Sequence, residues 1–207
     1  ETNFPKVFKL RGGAGSQNVQ LIRTKTAANK LVKKAFGKGF PAYDGWGSFK
    51  ERFRKWRLGK ADFKEVIKGT VRLVKPPRYA QVMGNEVNYL YFQEFIPNND
   101  SDIRIIVIDG KAFGIKRMNR ENDFRASGSG FILYDKDSID EIFVKAAFDI
   151  HDKLKAQCIA YDFVYDEHKK PLLIEISFGF ANGGYNDCVG YWDEKMTWHE
   201  GKFNPYG

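Results

Sequence analysis

The sequence predicts an α+β protein built on antiparallel strands. Two of the observations behind this are hairpins. Asp109-Gly110 is a strong hairpin signal between the runs DIRIIVID and KAFGIKRM. The turn-rich EHKK separates two further β-like runs, IAYDFVYD and PLLIEIS. The third observation is a set of amphipathic helical runs lying before and between these strands.

In chain order, residues 6–10 and 18–23 read as strands flanking a glycine-rich loop. KTAANKLVKKAF follows as a helix stopped by Gly37, and GKGFPAYDGWG reads as loop from its Gly, Pro and Asp punctuation. SFKERFRKWRL opens on a capping box, Ser48 with Glu51, and aligns Phe49, Phe53 and Trp56 along one face. DFKEVIKGTVRLVK opens on a second box, Asp62 with Glu65, stacks Phe63, Val66, Ile67, Val71 and Val74, and ends at Pro76-Pro77. VNYLYFQEFI, DIRIIVID and KAFGIKRM are strand-like, and NRENDFRASGSG is a polar loop. A helix is expected from a Ser138 cap to about Ala156, with Ile142, Phe143, Ala146, Ala147, Ile150 and Leu154 inward. The carboxylate hairpin follows, then an aromatic, loop-like tail from residue 178.

Hydrophobic content of 43% and aromatic content of 15% exclude a disordered chain, and 207 residues suffice for one good-sized core or two small ones. No apolar run approaches the roughly 18 residues of a membrane span. The opening ETNFPKVFKL has no basic stretch leading into an apolar one, so it does not read as a signal peptide. Cys158 and Cys188 have no metal-ligand spacing and read as reduced thiols of a cytoplasmic protein, Cys158 in the core. The net charge of +8 belongs to one segment: residues 38–78 carry twelve Lys/Arg against four Asp/Glu, and the rest of the chain carries twenty-two of each.

Two acids stand out, Asp162 in IAYDFVYD and Glu175 in PLLIEIS. Glu175 lies within an apolar strand, where an unpaired charge is costly, so a cation is expected to meet it. Upstream, Lys9 closes the run VFKL, which empties into RGGAGSQN, a loop whose glycines allow close backbone approach to phosphate. That loop fits neither the P-loop nor the dinucleotide spacing. Phosphate transfer needs cations and backbone N–H groups around phosphate oxygens and carboxylates to hold Mg²⁺, and these residues supply both kinds. There is no Ser-His-Asp or Cys-His arrangement, and His151, His168 and His199 lack metal-ligand spacing.

The order of these pieces resembles the ATP-grasp superfamily, in particular RimK-type glutamate ligases and glutathione synthetases. Lys9 and its glycine loop are followed by YFQEFIPNNDSDIRIIVIDG, IKRMNRENDFRASGSG and AYDF…LLIEIS. The resemblance covers most of the chain apart from residues 38–86 and the tail. It implies two α+β lobes whose antiparallel sheets grip a nucleotide: a small lobe over residues 1–96 with a hinge at 93–96, and a large lobe over 97–207. It also implies an ATP- and Mg²⁺-dependent ligase (Mn²⁺ being an alternative metal) that joins a carboxylate to an amine or thiol through an acyl phosphate. Lys9 matches the lysine on the nucleotide phosphates, and Gly13, Ala14, Gly15 and Ser16 match the flap over them. Gln93, Glu94, Phe95 and Ile96 match the adenine-lining hinge, and Asp102 the acid on the ribose. Arg104 matches a substrate- or phosphate-facing arginine, and Arg117 and Arg125 match the pair that steadies the transferred phosphoryl group. Asp162 and Glu175 match magnesium ligands whose replacement by Asn or Gln is expected to abolish turnover and spare the fold.

Ser177 stands where the family usually has the Asn of Glu-x-Asn, and Ser127 where it usually has the Asn of Arg-x-Asn. A hydroxyl at 177 can ligate Mg²⁺ or hold a coordinating water, more weakly than an amide oxygen; the two serines mark either a distinct subfamily or a reduced metal affinity. A second phosphate-contacting lysine and an upstream domain are expected before residue 1. The stretch at about residues 38–86, which contains the basic segment, reads as a helical insertion with three open roles for residues 48–75: a solvated helical hairpin, a dock for an acidic polymer or protein tail, or a surface for anionic membrane or nucleic acid. The membrane role would place the protein at the inner membrane face. For the whole chain, the alternatives are an ATP-grasp kinase acting on a hydroxyl and a non-catalytic polyanion-binding module.

Overall fold

The computed structural model describes residues 2–11, 18–59, 61–121, 123–126, 131–180 and 182–204. The chain divides into two compact units, Glu1–Phe95 and Ile96–Gly207. The division falls inside the QEFI segment.

In the first unit, strand β1 (Lys6–Lys9) lies between β2 (Gln20–Ile22) and a later strand, β5 (Tyr91–Glu94), antiparallel to both. Helix α1 (Lys25–Ala35) starts where the Thr24 side chain accepts from the Ala27 amide at 3.2 Å. Phe8, Ile22, Ala28, Ala35 and Phe40 form the core, with the Phe8 and Phe40 rings 5.2 Å apart. Between β1 and β5 the chain runs through β3 (Phe40–Pro41), α2 (Gly45–Arg57), α3 (Phe63–Val74), α4 (Arg78–Met83) and β4 (Asn85–Glu86). Because β3 pairs with β4, the three helices leave and rejoin the unit at one two-stranded ladder.

Two helix starts differ from expectation. Helix α2 begins three residues before Ser48, and its cap is Asp44, which accepts from the Gly47 amide at 2.9 Å. A Cβ on Gly47 would lie 2.2 Å from the Asp44 carboxylate, so the glycine that reads as loop punctuation is what admits the cap. The other start is in the second unit, where Lys136–Ser138 is a 3-10 turn and Asp140 caps α5 (Glu141–Leu154), accepting from Ile142 at 3.1 Å. In both cases a carboxylate displaces a serine as the acceptor for the free amides. Helix α4, just after Pro77, was not expected at all.

The second unit carries one antiparallel sheet. Its strands are β6 (Ser101–Ile108), β7 (Lys111–Met118), β8 (Ile132–Leu133), β9 (Cys158–Tyr165), β10 (Pro171–Ser177), β11 (Gly190–Asp193) and β12 (Trp198–Glu200). They run in the order β10-β9-β6-β7-β11-β12, with β8 also on β7. The Asp109-Gly110 turn joins β6 to β7 with positive φ at both residues, 49° and 69°.

Period-2 alternation gives the sheet two different faces. One carries Ile103, Ile105, Val107, Ile159, Tyr161 and Phe163 and is covered by Phe143, Val144 and Ala147 of α5. Ile142 and Leu154, expected inward, are exposed, and Val144 is inward in their place. On the other face Ile106, Phe113, Ile115 and Ala160 lie beneath tail residues Tyr185, Cys188 and Phe203. The tail is therefore core, not loop: Trp192 is fully buried and packs edge-on against Trp198 at 4.5 Å. Both cysteines are free thiols, with Cys188 buried and Cys158 half-buried. No helix among the described residues is long and apolar enough to cross a membrane.

Candidate active site

Asp102 and Arg104 are two residues apart on β6, so both point to the tail-covered face. Pairing in register places Arg117 of β7 opposite Asp102, and Asp162 of β9 opposite Arg104. Four charges thus share one patch of sheet. The Arg117 guanidinium donates to both Asp102 oxygens at 2.6 and 2.8 Å, and through Nη2 to Asp162 Oδ2 at 2.9 Å. Arg104 grips Asp162 through Nε and through Nη2, the latter at 2.5 Å, and its Nη1 lies 3.3 Å from the Tyr185 hydroxyl. Asp102, Arg117 and Asp162 are buried. Two positive and two negative groups balance there, which is what allows ions to leave water.

The two acids respond to burial differently. Burial pushes the Asp162 carboxyl up, but the hydrogen bonds from Arg104 and the Arg117 charge outweigh it and hold the acid below its ordinary range. At Asp102 burial wins over Arg117, and the carboxyl is raised. Both arginines are raised by their acid partners despite burial.

Glu175 lies on the next strand, opposite Asp162. A bulge between Leu173 and Glu175 sets that register: without the extra residue, Ile174 would face Asp162. The expected burial of Glu175 does not hold. The residue is exposed on edge strand β10, and its carboxylate accepts from the Ser177 hydroxyl at 3.3 Å. An edge strand open to water tolerates a charge that a buried apolar strand would exclude. The arginines meet Asp162 instead.

Two opposed carboxylates with a hydroxyl beside them are an all-oxygen donor set, the kind that suits Mg²⁺. The fit is incomplete in this arrangement, because both Asp162 oxygens already accept from guanidiniums. Among the described residues no three or more His, Cys, Asp or Glu side chains gather as a metal cluster.

In the first unit Lys9 ends β1 opposite Tyr91, half-buried, on the same face as Gln93. Glu94 is exposed and pairs across the ladder with Lys6, a buried lysine that sequence reasoning passed over in favour of Lys9. Phe95 and Ile96 are half-buried on either side of the unit division. Gly13, Ala14, Gly15, Ser16 and Ser127 lie outside the described residues.

Arg125 is held by a neighbouring acid. Its guanidinium closes on Asp123 at 2.5 to 3.0 Å, and its own amide donates to the same carboxylate at 3.1 Å. Burial opposes ionisation of Asp123, yet these bonds hold its carboxyl below the ordinary range. Tyr185, which touches Arg104, carried no sequence signal: it is one tyrosine in a glycine-rich tail, brought in by the 3-10 turn Asn182–Gly184.

No curated protein matches the chain. Among solved structures, the chain is similar to the Campylobacter jejuni biotin carboxylase–β,γ-ATP complex and to the biotin carboxylase domain of Hydrogenobacter thermophilus 2-oxoglutarate carboxylase with MgADP, ADP and bicarbonate. Each is 12% identical with a TM-score of 0.47. A biotin carboxylase subunit of pyruvate carboxylase matches at 14% identity and a TM-score of 0.29. In all three, 86% of this chain aligns with 32% of the other, so the chain spans about a third of the length of these structures. Residues 70–186, more than half of the chain, match the RimK-like ATP-grasp domain family. That match begins inside α3, so residues 70–86 of the expected insertion belong to it. It also contains every strand that carries Asp102, Arg104, Arg117, Asp162 and Glu175, and on this ground the chain belongs to the RimK-like ATP-grasp family.

Proposed function

We propose that this chain is the nucleotide-binding part of an ATP-dependent ligase that joins a carboxylate to an amine or a thiol, with residues 1–96 and 97–207 as its small and large lobes. The observation that carries the reading is the in-register row Arg104–Asp162–Glu175 with Arg117 beside it: cations and carboxylates side by side on one sheet face of an ATP-grasp domain.

The chemistry explains the need for such a row. A carboxylate is a poor electrophile because oxide does not leave. In the proposed reaction a carboxylate oxygen forms a bond to the γ-phosphorus of ATP, the bond to ADP breaks, and an acyl phosphate results. An amine then attacks the acyl carbon, its C–N bond forming as the C–O bond to phosphate breaks and a proton passes to solvent. The first step gathers several negative charges. Arg104 and Arg117 would meet them by exchanging carboxylate contacts for phosphate oxygens, and Lys9 would take a nucleotide phosphate. Glu175, Ser177 and Asp162 would hold Mg²⁺, which when bound offsets phosphate charge. Arg125, oriented by Asp123, would steady the phosphoryl group. Removing a charge stabiliser of this kind raises a barrier by about 2–4 kcal/mol.

Calorimetry with MgADP and with metal-free ADP tests the site. The wild-type chain should bind both, the magnesium form more tightly, and Glu175→Gln should remove the magnesium advantage while keeping metal-free ADP binding. No nucleotide binding, or an undiminished magnesium advantage in Glu175→Gln, would overturn the assignment. In the full-length protein, hydroxylamine trapping of an acyl phosphate supports ligation, and phosphate found on a hydroxyl would replace ligation with kinase action.

A further inference from the structure

The helices between β3 and β4 pack on each other and leave apolar surface in water. Val66 and Gly69 of α3 are buried, and a Cβ on Gly69 would lie 3.2 Å from Phe49 of α2, so this side of α3 is spent on α2. A second stripe of α3 stays in water: Ile67, Val71 and Val74 fall on one side of the helix and are all exposed, Val74 to 89%, while Phe63 at its start is half exposed against the Trp56 ring of α2, 5.3 Å away. Val82 and Met83 of α4, on the next helix of the same segment, are also left in water, at 79% and 70% exposed.

The charges around this surface all carry the same sign in excess. Residues 45–83 hold eleven Lys/Arg and three Asp/Glu. The three acids are used locally. Glu51 pairs with Arg54 and Lys55, Glu65 pairs with Arg52 and Lys68, and Asp62 caps α3. Exposed Lys50, Arg57, Lys64, Lys75 and Arg78 take part in none of these pairs.

We infer that the α2–α4 face docks on an anionic lipid bilayer. The uncompensated cations attract anionic headgroups, and the aliphatic stripe gains by entering the acyl boundary beneath them. A soluble polyanion would satisfy the cations but leave Ile67, Val71, Val74, Val82 and Met83 in water, since aliphatic side chains neither stack on bases or sugars nor donate hydrogen bonds. None of these residues is assigned to the nucleotide site, so the test stands or falls separately from MgADP binding.

The test is co-sedimentation of the whole chain with vesicles of phosphatidylglycerol and phosphatidylcholine, and with phosphatidylcholine alone. Binding is expected only to the anionic vesicles and should weaken as salt rises. Lys64→Gln and Lys75→Gln should each lower affinity about fivefold. Ile67→Ser with Val71→Ser should lower it further, with MgADP binding unchanged in every variant. Four outcomes overturn the inference: no sedimentation with either vesicle, equal binding to both, binding to heparin or single-stranded RNA without binding to vesicles, and a stable dimer that Val74→Asp splits without any vesicle binding.

Discussion

Asp162 ties function and stability together in one carboxylate. Both of its oxygens accept from guanidiniums, Arg117 buried and Arg104 half-buried, so Asp162→Asn strands the two arginines with half their compensation. Breaking such a pair costs about 3–5 kcal/mol. We therefore expect Asp162→Asn to lower stability by that order in denaturant melts, and exposed Glu175→Gln to leave the melt unchanged; equal effects of the two would sink the distinction. This expectation departs at Asp162 alone from the sequence expectation that neither replacement harms the fold. The sign of the pH dependence follows from the same contacts. Because folding lowers the Asp162 carboxyl, its stabilisation is full above the ordinary carboxylate range near pH ~4 and fades as pH falls through the lower folded value. Asp102 works in the opposite sense: its raised carboxyl favours folding in the protonated form, and that contribution shrinks as pH rises through the raised value. Asp102→Asn should thus cost less at neutral pH than Asp162→Asn, and the gap between wild type and Asp162→Asn should close in acid.

At the scale of elements, hairpins and the extents of the long helices were legible in the sequence, whereas caps, edges and which apolar side chains face inward were less so. Asp109-Gly110 marked its hairpin because few residues accept positive φ in succession. Periodicity located α1, α3 and α5 to within a residue or two, and the charges of DIR and KRM stood out in the sequence although their mutual pairing did not. The capping of α2 was not, since Ser48 with Glu51 satisfies the local rule while Asp44 satisfies the amides. Asp44→Ala should lower stability by about 1 kcal/mol and Ser48→Ala by much less, because Ser48 lies within the helix, where alanine is the better former. The reverse ranking in thermal melts would restore the serine cap. The exposure of Glu175 was illegible for a different reason. An apolar run shows neither that its strand lies at a sheet edge nor that a bulge shifts its register, and both depend on partners far along the chain.

Across the whole molecule, apolar side chains are distributed unevenly between the two units. The second unit buries both faces of its central strands, one under α5 and one under the tail, with Ile105, Ile106, Val107, Tyr161 and Trp192 fully enclosed. Among the described residues, the first has a smaller core cluster of Phe8, Ile22, Ala28, Ala35 and Phe40, and much of the apolar surface of α2–α4 stays in water. Local opening follows buried contact and not helix content. Amides of β6, β7 and β9 should therefore exchange most slowly in native-state hydrogen exchange, while those of α2–α4 exchange many-fold faster than their regular hydrogen bonding suggests. Anionic vesicles should slow α2–α4 and leave β6, β7 and β9 unchanged, because a docked apolar stripe adds burial only where it lies. Protection of α2–α4 equal to the central strands in the absence of lipid would mean that the helical segment is already covered, and its exposed stripe would then need no bilayer to explain it.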